Sequence, residues 1–267
     1  MHLREPRRTA VLASVIASLV ILGAGCGKKP PQNPPSPPPA AVRPAPAPSE
    51  PPVPPPPGPA VNLCDNPYFA LAAGMRIEYE SSDANGKVSP YTMTVMEASA
   101  AAAKLSYYYP ATKYTFAQEI VCKDGSVTTE TMLGAPGASG SAATQTKRSE
   151  GQLLPKDVHA GSTWSASYET VLTTQAAPGA ASAPVTMTVD AKSKAVGEEQ
   201  VTVPAGTFTA MKVETTSTAN LVMEGAPPSD PRITMTQQWW VKGLGLVRSV
   251  SKADGGTTTV VATKVTR

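Results

Sequence analysis

The chain has 267 residues, of which 41% are hydrophobic, 16% charged and only 5% aromatic, and its formal charge is +3. With 23 basic against 20 acidic residues and no more than two Lys or Arg adjacent anywhere, it lacks the basic stripe that phosphate-backbone binding needs, so nucleic acid is not an expected partner. Removal of residues 1–25 takes away three Arg and Glu5, which leaves 20 basic and 19 acidic residues, a net charge of +1.

The chain opens with Arg4, Arg7 and Arg8, followed by an apolar, small-residue run from Thr9 to Gly25, the charged-then-apolar layout of an export signal. Arg7-Arg8 reads as ordinary charge ahead of that run, because the residues that follow do not complete a twin-arginine motif. Gly23-Ala24-Gly25-Cys26 closes it. Together these residues resemble a bacterial lipoprotein signal, although that family favours Leu three places before the cysteine, where this chain has Gly23 and sets Leu22 one step further out. The resemblance implies that Cys26 is acylated, becomes the first mature residue and attaches the protein to a membrane. Acyl chains contribute about 0.8 kcal/mol per buried methylene, so such an anchor needs no help from the protein surface. Read without the resemblance, Thr9–Gly25 is also just long enough to remain as a membrane-spanning anchor. Gly27 is not Asp, so in a two-membrane cell the inner-membrane retention signal is missing, and the expected place is the outer membrane, facing the periplasm.

From Pro30 to Pro59 the composition changes abruptly, with 17 of the 29 prolines in this stretch. Proline fixes φ and removes the amide donor, so residues 26–59 are expected to form a lipid anchor followed by an extended polyproline spacer. At about 3.1 Å per residue the reach is on the order of 90 Å.

Residues 60–267 read as one all-β domain. Thr and Val are plentiful, helix signals are thin, and apolar residues alternate with polar ones at period two. Tyr91, Met93 and Val95 show it, as do Trp164, Ala166 and Tyr168, and Val185, Met187 and Val189. In Arg232–Val241 the alternation sets Ile233, Met235, Gln237, Trp239 and Val241 on one face and Thr234, Thr236, Gln238 and Trp240 on the other. Trp239 is therefore expected in the core, Trp240 away from it, and Met93, Met187, Met211 and Met235 on inward faces. Asn85-Gly86, Asp124-Gly125 and Asp254-Gly255-Gly256 mark turns. About ten strands at this spacing predict an antiparallel half-barrel or curled sheet. Two stretches rich in Ala, Gly and Ser, 134–146 and 176–183, are expected to be surface loops. Ala73-Gly74-Met75-Arg76-Ile77 faintly echoes Ala160-Gly161-Ser162-Thr163-Trp164, which raises an internal duplication as one reading and chance as the other.

With Cys26 acylated, Cys64 and Cys122 remain as an even pair in an oxidising compartment and are expected to form a structural disulfide. Catalytic chemistry is poorly supplied. The mature chain keeps one histidine, His159, and has no Gly-x-Ser-x-Gly spacing. Glu198-Glu199 would point to opposite faces of a strand, and one histidine with two oxidised cysteines makes no metal centre. Neither an enzyme nor a cofactor or metal protein is expected. Gly243-Leu244-Gly245 lacks the third glycine of a dinucleotide fingerprint and reads as a turn.

Val203-Pro204-Ala205-Gly206-Thr207-Phe208, followed by Trp240-Val241-Lys242-Gly243-Leu244-Gly245-Leu246-Val247-Arg248, resembles a signature of bacterial envelope proteins of unknown function whose expected fold is close to the lipoprotein-carrier half-barrels. That group opens each half with Gly, two residues and Trp. Gly161 and Trp164 comply, whereas the earlier copy has Gly74 and Ile77. The resemblance brings no catalytic residue. Two functions follow. One is a non-enzymatic envelope lipoprotein with a structural or protein-interaction role. The other is a carrier or sensor of an apolar ligand or acyl chain, with Trp240, Trp164, Tyr107 and Tyr109 as its candidate lining. Expected partners are the membrane, through the anchor, and an envelope protein or an apolar ligand.

Overall fold

The period-two segments form strands, and the strands join into a ring. A computed structural model describes residues 59–123, 125–134, 142–174, 184–223 and 230–267. The signal segment, Cys26 and the spacer before Pro59 lie outside the described residues, as do the centres of the two expected loops.

Two short strands, β1 (Val61–Asn62) and β2 (Ala70–Leu71), pair with each other. The strands that follow are β3 (Arg76–Ser82), β4 (Val88–Ala98), β5 (Ala102–Tyr109), β6 (Tyr114–Lys123), β7 (Ser126–Gly134) and β8 (Ala142–Gly151). A second set comprises β9 (Thr163–Thr174), β10 (Val185–Val203), β11 (Gly206–Met223), β12 (Arg232–Val241), β13 (Gly245–Ala253) and β14 (Gly256–Thr266). Each pairs antiparallel with its sequence neighbours, and β14 pairs back onto β3, so the sheet is a closed barrel of twelve strands. The all-β antiparallel expectation holds, and the curl continues into a ring whose weakest seam is β7 to β8, joined by three registered pairs. Closure satisfies the backbone groups that an open sheet leaves as a template for aggregation. The expected loop at 134–146 is shorter than its composition implies, because Ala142–Gly151 pairs with β9.

Gly74 and Gly161 show why the two halves look alike. Both have positive φ, 85° and 86°. Gly74 N–H donates to Val95 O, and Val95 N–H returns a bond to Met75 O. Gly161 N–H donates to Ala195 O, and Ala195 N–H returns a bond to Ser162 O. A register shift follows each acceptor, at Val95/Glu97 and at Ala195/Gly197. The same corner thus opens each six-strand half, β3–β8 and β9–β14, with Ile77 and Trp164 in equivalent places.

One end of the barrel is stoppered. Leu63–Asp65 and Pro67–Phe69 form two short 3-10 turns whose Leu63 and Tyr68 are almost fully buried. Asn66, only 2% exposed, accepts from Tyr68 N–H and donates to Leu154 O at 2.7 Å. Cys64 is bonded to Cys122 of β6, and the backbone N–H groups of both cysteines bond the β4–β5 turn at Ala100 and Ala101. Both signature motifs lie at this end. Gly243 N–H donates to Pro67 O, and the Pro204-Ala205 hairpin tip reaches over β12 and β13 so that Ala205 N–H bonds Ala262 O. Gly206 completes that tip with φ of 141°, and a Cβ there would press on the Phe208 ring at 3.2 Å.

Candidate binding surfaces of the barrel

Around the ring, β4 to β6 stand opposite β11 and β12, and the two walls differ in chemistry. Inward residues of β3 to β6 build an aromatic wall. Tyr79 stacks on Tyr91 at 5.1 Å, Tyr91 on Tyr109 at 5.2 Å, and Tyr107 on Phe116 at 4.6 Å. Register explains the stack, since Tyr79 pairs with Tyr91 and Tyr107 with Phe116 across neighbouring strands. The hydroxyl of Tyr79 donates to Leu246 O, and that of Tyr107 to Gln118 Oε1. Burial pushes the Tyr79, Tyr91 and Tyr107 hydroxyls well above their ordinary range and Tyr109 up to about 12.

The facing wall is polar. Ser193, Thr215, Thr236, Gln238, Ser249 and Ser251 line, with Tyr168, about 50 Å³ of free space, room for a few waters rather than an acyl chain. Several of these hydroxyls pair with each other, as in Ser193 to Thr215 at 2.9 Å and Thr236 to Ser251 at 3.2 Å. An apolar cargo placed there would displace these bonds without replacing them.

The four expected lining residues fall into two separate clusters. Tyr107 and Tyr109 belong to the aromatic wall. Trp164 and Trp240 pack with Tyr68, Phe69, Met211 and Val213 over the stopper, Trp240 lying 5.3 Å from the Phe69 ring. Trp164 Nε1 donates to Leu153 O. Trp240 is thus half-buried against the stopper, contrary to the strand-alternation expectation. Trp239 is buried as expected, but between the β10–β11 hairpin and the outside of the sheet, where its Nε1 donates to Glu199 Oε1 at 2.6 Å and the Arg248 guanidinium lies 4.6 Å from its ring. His159 sits in an exposed turn, with its N–H on Ser162 Oγ and Nδ1 3.1 Å from Ala160 O.

Sequence reading missed the outer face. Met93 and Met211 are buried as expected, whereas Met235 is 57% exposed, and Ile233 beside it is 56% exposed. Registered partners form rows across this face. Lys192, Thr216, Met235 and Lys252 make one row, and Lys194, Glu214, Gln237 and Val250 make the next. These rows line an open trough of about 830 Å³. Its chemical signal in the sequence was the lysine spacing Lys192-x-Lys194 facing Lys252, hidden because β12 reads as if its apolar face were inward.

A family profile described as DUF3108-like matches residues 72–259. The chain belongs to the DUF3108-like family. That match runs from just after β2 into β14, so both halves of the ring belong to the DUF3108-like unit. No curated protein matches the chain. Two solved structures are similar to it. One, from Bacteroides fragilis, is described as inferred to be exported, with a YmcC-like fold. It is 16% identical, covers 73% of this chain and 96% of its own, and gives a TM-score of 0.46. The other, from Parabacteroides distasonis and inferred to be a lipoprotein, is 15% identical, covers 74% and 98%, and also gives a TM-score of 0.46.

Proposed function

We propose that this DUF3108-like protein is a non-enzymatic lipoprotein of the bacterial envelope, acylated at Cys26, held off the outer membrane on the periplasmic side by its proline-rich spacer, and working by binding through the outside of its barrel. The observation that carries the binding part is the trough between β10 and β13, where exposed Met235 and half-buried Val250 lie among lysines. Two further features support a surface role. Every strand of the ring has a neighbour on both sides, which favours contact through side chains over addition of a partner strand. Among the described residues the inward pocket between β9 and β13 is hydroxyl-lined, which favours a surface site over the half-barrel carrier reading. Charged rows on the outside are also unlike the apolar band of a membrane-embedded barrel.

Radiolabelled palmitate feeding with membrane fractionation tests the anchor. Wild type is expected to take label and sediment with outer membrane, and Cys26→Ser to lose both. A Cys26→Ser chain that remains in the outer-membrane fraction would overturn the anchoring scheme.

A further inference from the structure

Lys192, Lys194 and Lys252 meet no carboxylate within 4 Å among the described residues, although Glu214 lies in the row between them. Glu214 is instead engaged by Gln237 Nε2 at 2.9 Å. Three unpaired cations therefore surround an apolar floor made by Met235 and Val250. Neighbouring cations are treated differently: Lys212 and Lys242 are within reach of Glu199 and Glu198, and Lys264 of Glu78. Exposed apolar side chains recur away from the lysines among polar ones, since Asp190 and Thr218 share the row of Ile233 and Asn220 lies between Thr218 and Val222. Ile233 follows Met235 on the same face of β12, and Val222, 45% exposed, lies further along the same face of β11. From the Thr216 level to Val222 is six residues, about 20 Å of strand. One leaflet of a bilayer core, the length of an acyl chain, is about 15 Å.

We infer that the trough holds an amphiphile with a single acyl chain and an anionic head, the head between Lys192 and Lys252 and the chain along Met235, Ile233 and Val222. The shape selects a single molecule over a membrane surface, because a concave trough cannot lie flat on a bilayer. Composition selects an amphiphile over a protein. Protein interfaces are depleted in Lys, whereas this trough carries three, beside Met235 and the edge of Trp164. Its volume falls within the usual range for small-molecule sites. Flexible Met235 suits a chain of variable packing.

The inference rests on the reading that the protein acts through this outer face, and its test leaves anchoring aside. The mature chain carrying Cys26→Ser, spacer included, is titrated calorimetrically below the critical micelle concentration with oleate, 1-oleoyl-lysophosphatidylglycerol and oleyl alcohol. One site per chain is expected for an anionic ligand. Oleate binding would point to a free fatty acid, and lysophosphatidylglycerol binding to a phospholipid product. Lys192→Glu with Lys252→Glu is expected to weaken binding by at least about tenfold, as is Met235→Asp. Oleyl alcohol is expected to bind at least about tenfold more weakly than the preferred anion. All three substituted side chains are exposed, so far-UV circular dichroism should show unchanged folding. The inference is overturned if neither anion binds, if oleyl alcohol binds as tightly as the anions, or if the lysine and Met235 variants bind like the parent. Loss of binding in Tyr107→Ala with retention in Met235→Asp would place the ligand in the lumen and equally overturn it. A palmitate experiment that fails while these titrations succeed would remove the anchor and leave the trough standing.

Discussion

Cutting the Cys64–Cys122 bond should remove a large part of the domain's stability, and the structure sets the size of the effect. The bond closes a loop of 58 residues that contains β3 to β5 and the Asn85-Gly86 turn. On the chain-entropy account, opening such a loop in the denatured state costs about 4 kcal/mol. Cys64→Ala with Cys122→Ala avoids leaving a buried hydroxyl where Cys64 is 8% exposed. For a domain of this size the loss corresponds to a fall in Tm of about 8 to 16 °C, and to a urea midpoint lower by roughly 2 M. The double variant, either single variant and the reduced parent should coincide, because each lacks the same link. Paired urea titrations at constant pH, with Cys26 replaced throughout, measure this. A reduced parent melting within about 2 °C of the oxidised protein would refute the reasoning. The stopper would then be held by the burial of Leu63 and Tyr68 and by the Asn66 bonds, with the disulfide adding nothing.

Three other outcomes are expected. Trp239→Ala should destabilise by about 3 to 5 kcal/mol through the cavity left under the hairpin, whereas Trp239→Phe keeps a ring beneath Arg248, loses the Glu199 bond and should cost only about 1 to 2 kcal/mol. Chemical denaturation of both variants checks the ratio. Gly151→Ala should cost at least about 2 kcal/mol, because its φ is 76° and the new methyl would overlap the Ser165 carbonyl of β9, and thermal melts against a Gly161→Ala control, where nothing lies within 4 Å, separate overlap from backbone strain. The buried tyrosines make stability fall at high pH. Folded-state pKa values are raised above the unfolded value near 10, so their contribution is complete below about pH 10 and is lost as pH rises through about 12 for Tyr109 and beyond for Tyr79 and Tyr107. Tyrosinate absorbance should therefore appear at higher pH in the native protein than in urea, and coincident titrations would contradict the aromatic wall.

Strand existence and most strand parities were legible in the sequence because a one-residue step flips a side chain from one face to the other. Tyr91, Met93 and Val95 are inward and buried as their alternation requires. Which parity faces inward was not legible in β12. Alternation there offers Ile233, Met235, Trp239 and Val241 against Thr234, Thr236 and Gln238, and ordinary burial logic sends the first set inside. A twelve-strand ring relaxes that logic. Inward hydroxyls satisfy one another across neighbouring strands, as Thr236 and Ser251 do, so inward positions need not be apolar. Trp239 is then buried by a different device, the return of the hairpin over the outside of the sheet beyond Gly197. The lengths of β10 and β11, 19 and 18 residues against 7 to 12 elsewhere in the ring, are the trace of that return, and sequence alone could not say whether the excess continued the barrel or folded back on it.

The same relaxation accounts for the placement of the candidate site. An open half-barrel would present a concave apolar face, and the most apolar parity of each strand would line it. Once the ring closes on Tyr79, Tyr91 and Tyr107 from one side and on hydroxyls from the other, the apolar residues of β12 have no interior left to occupy. Met235 and Ile233 stay at the surface at a cost in hydration, and lysines without ion pairs stand next to them in register. Neither feature stabilises the barrel, since a Thr at 235 and an ion pair at 252 would serve the fold at least as well. Residues that the fold does not need, gathered in one trough, are best explained by what they bind.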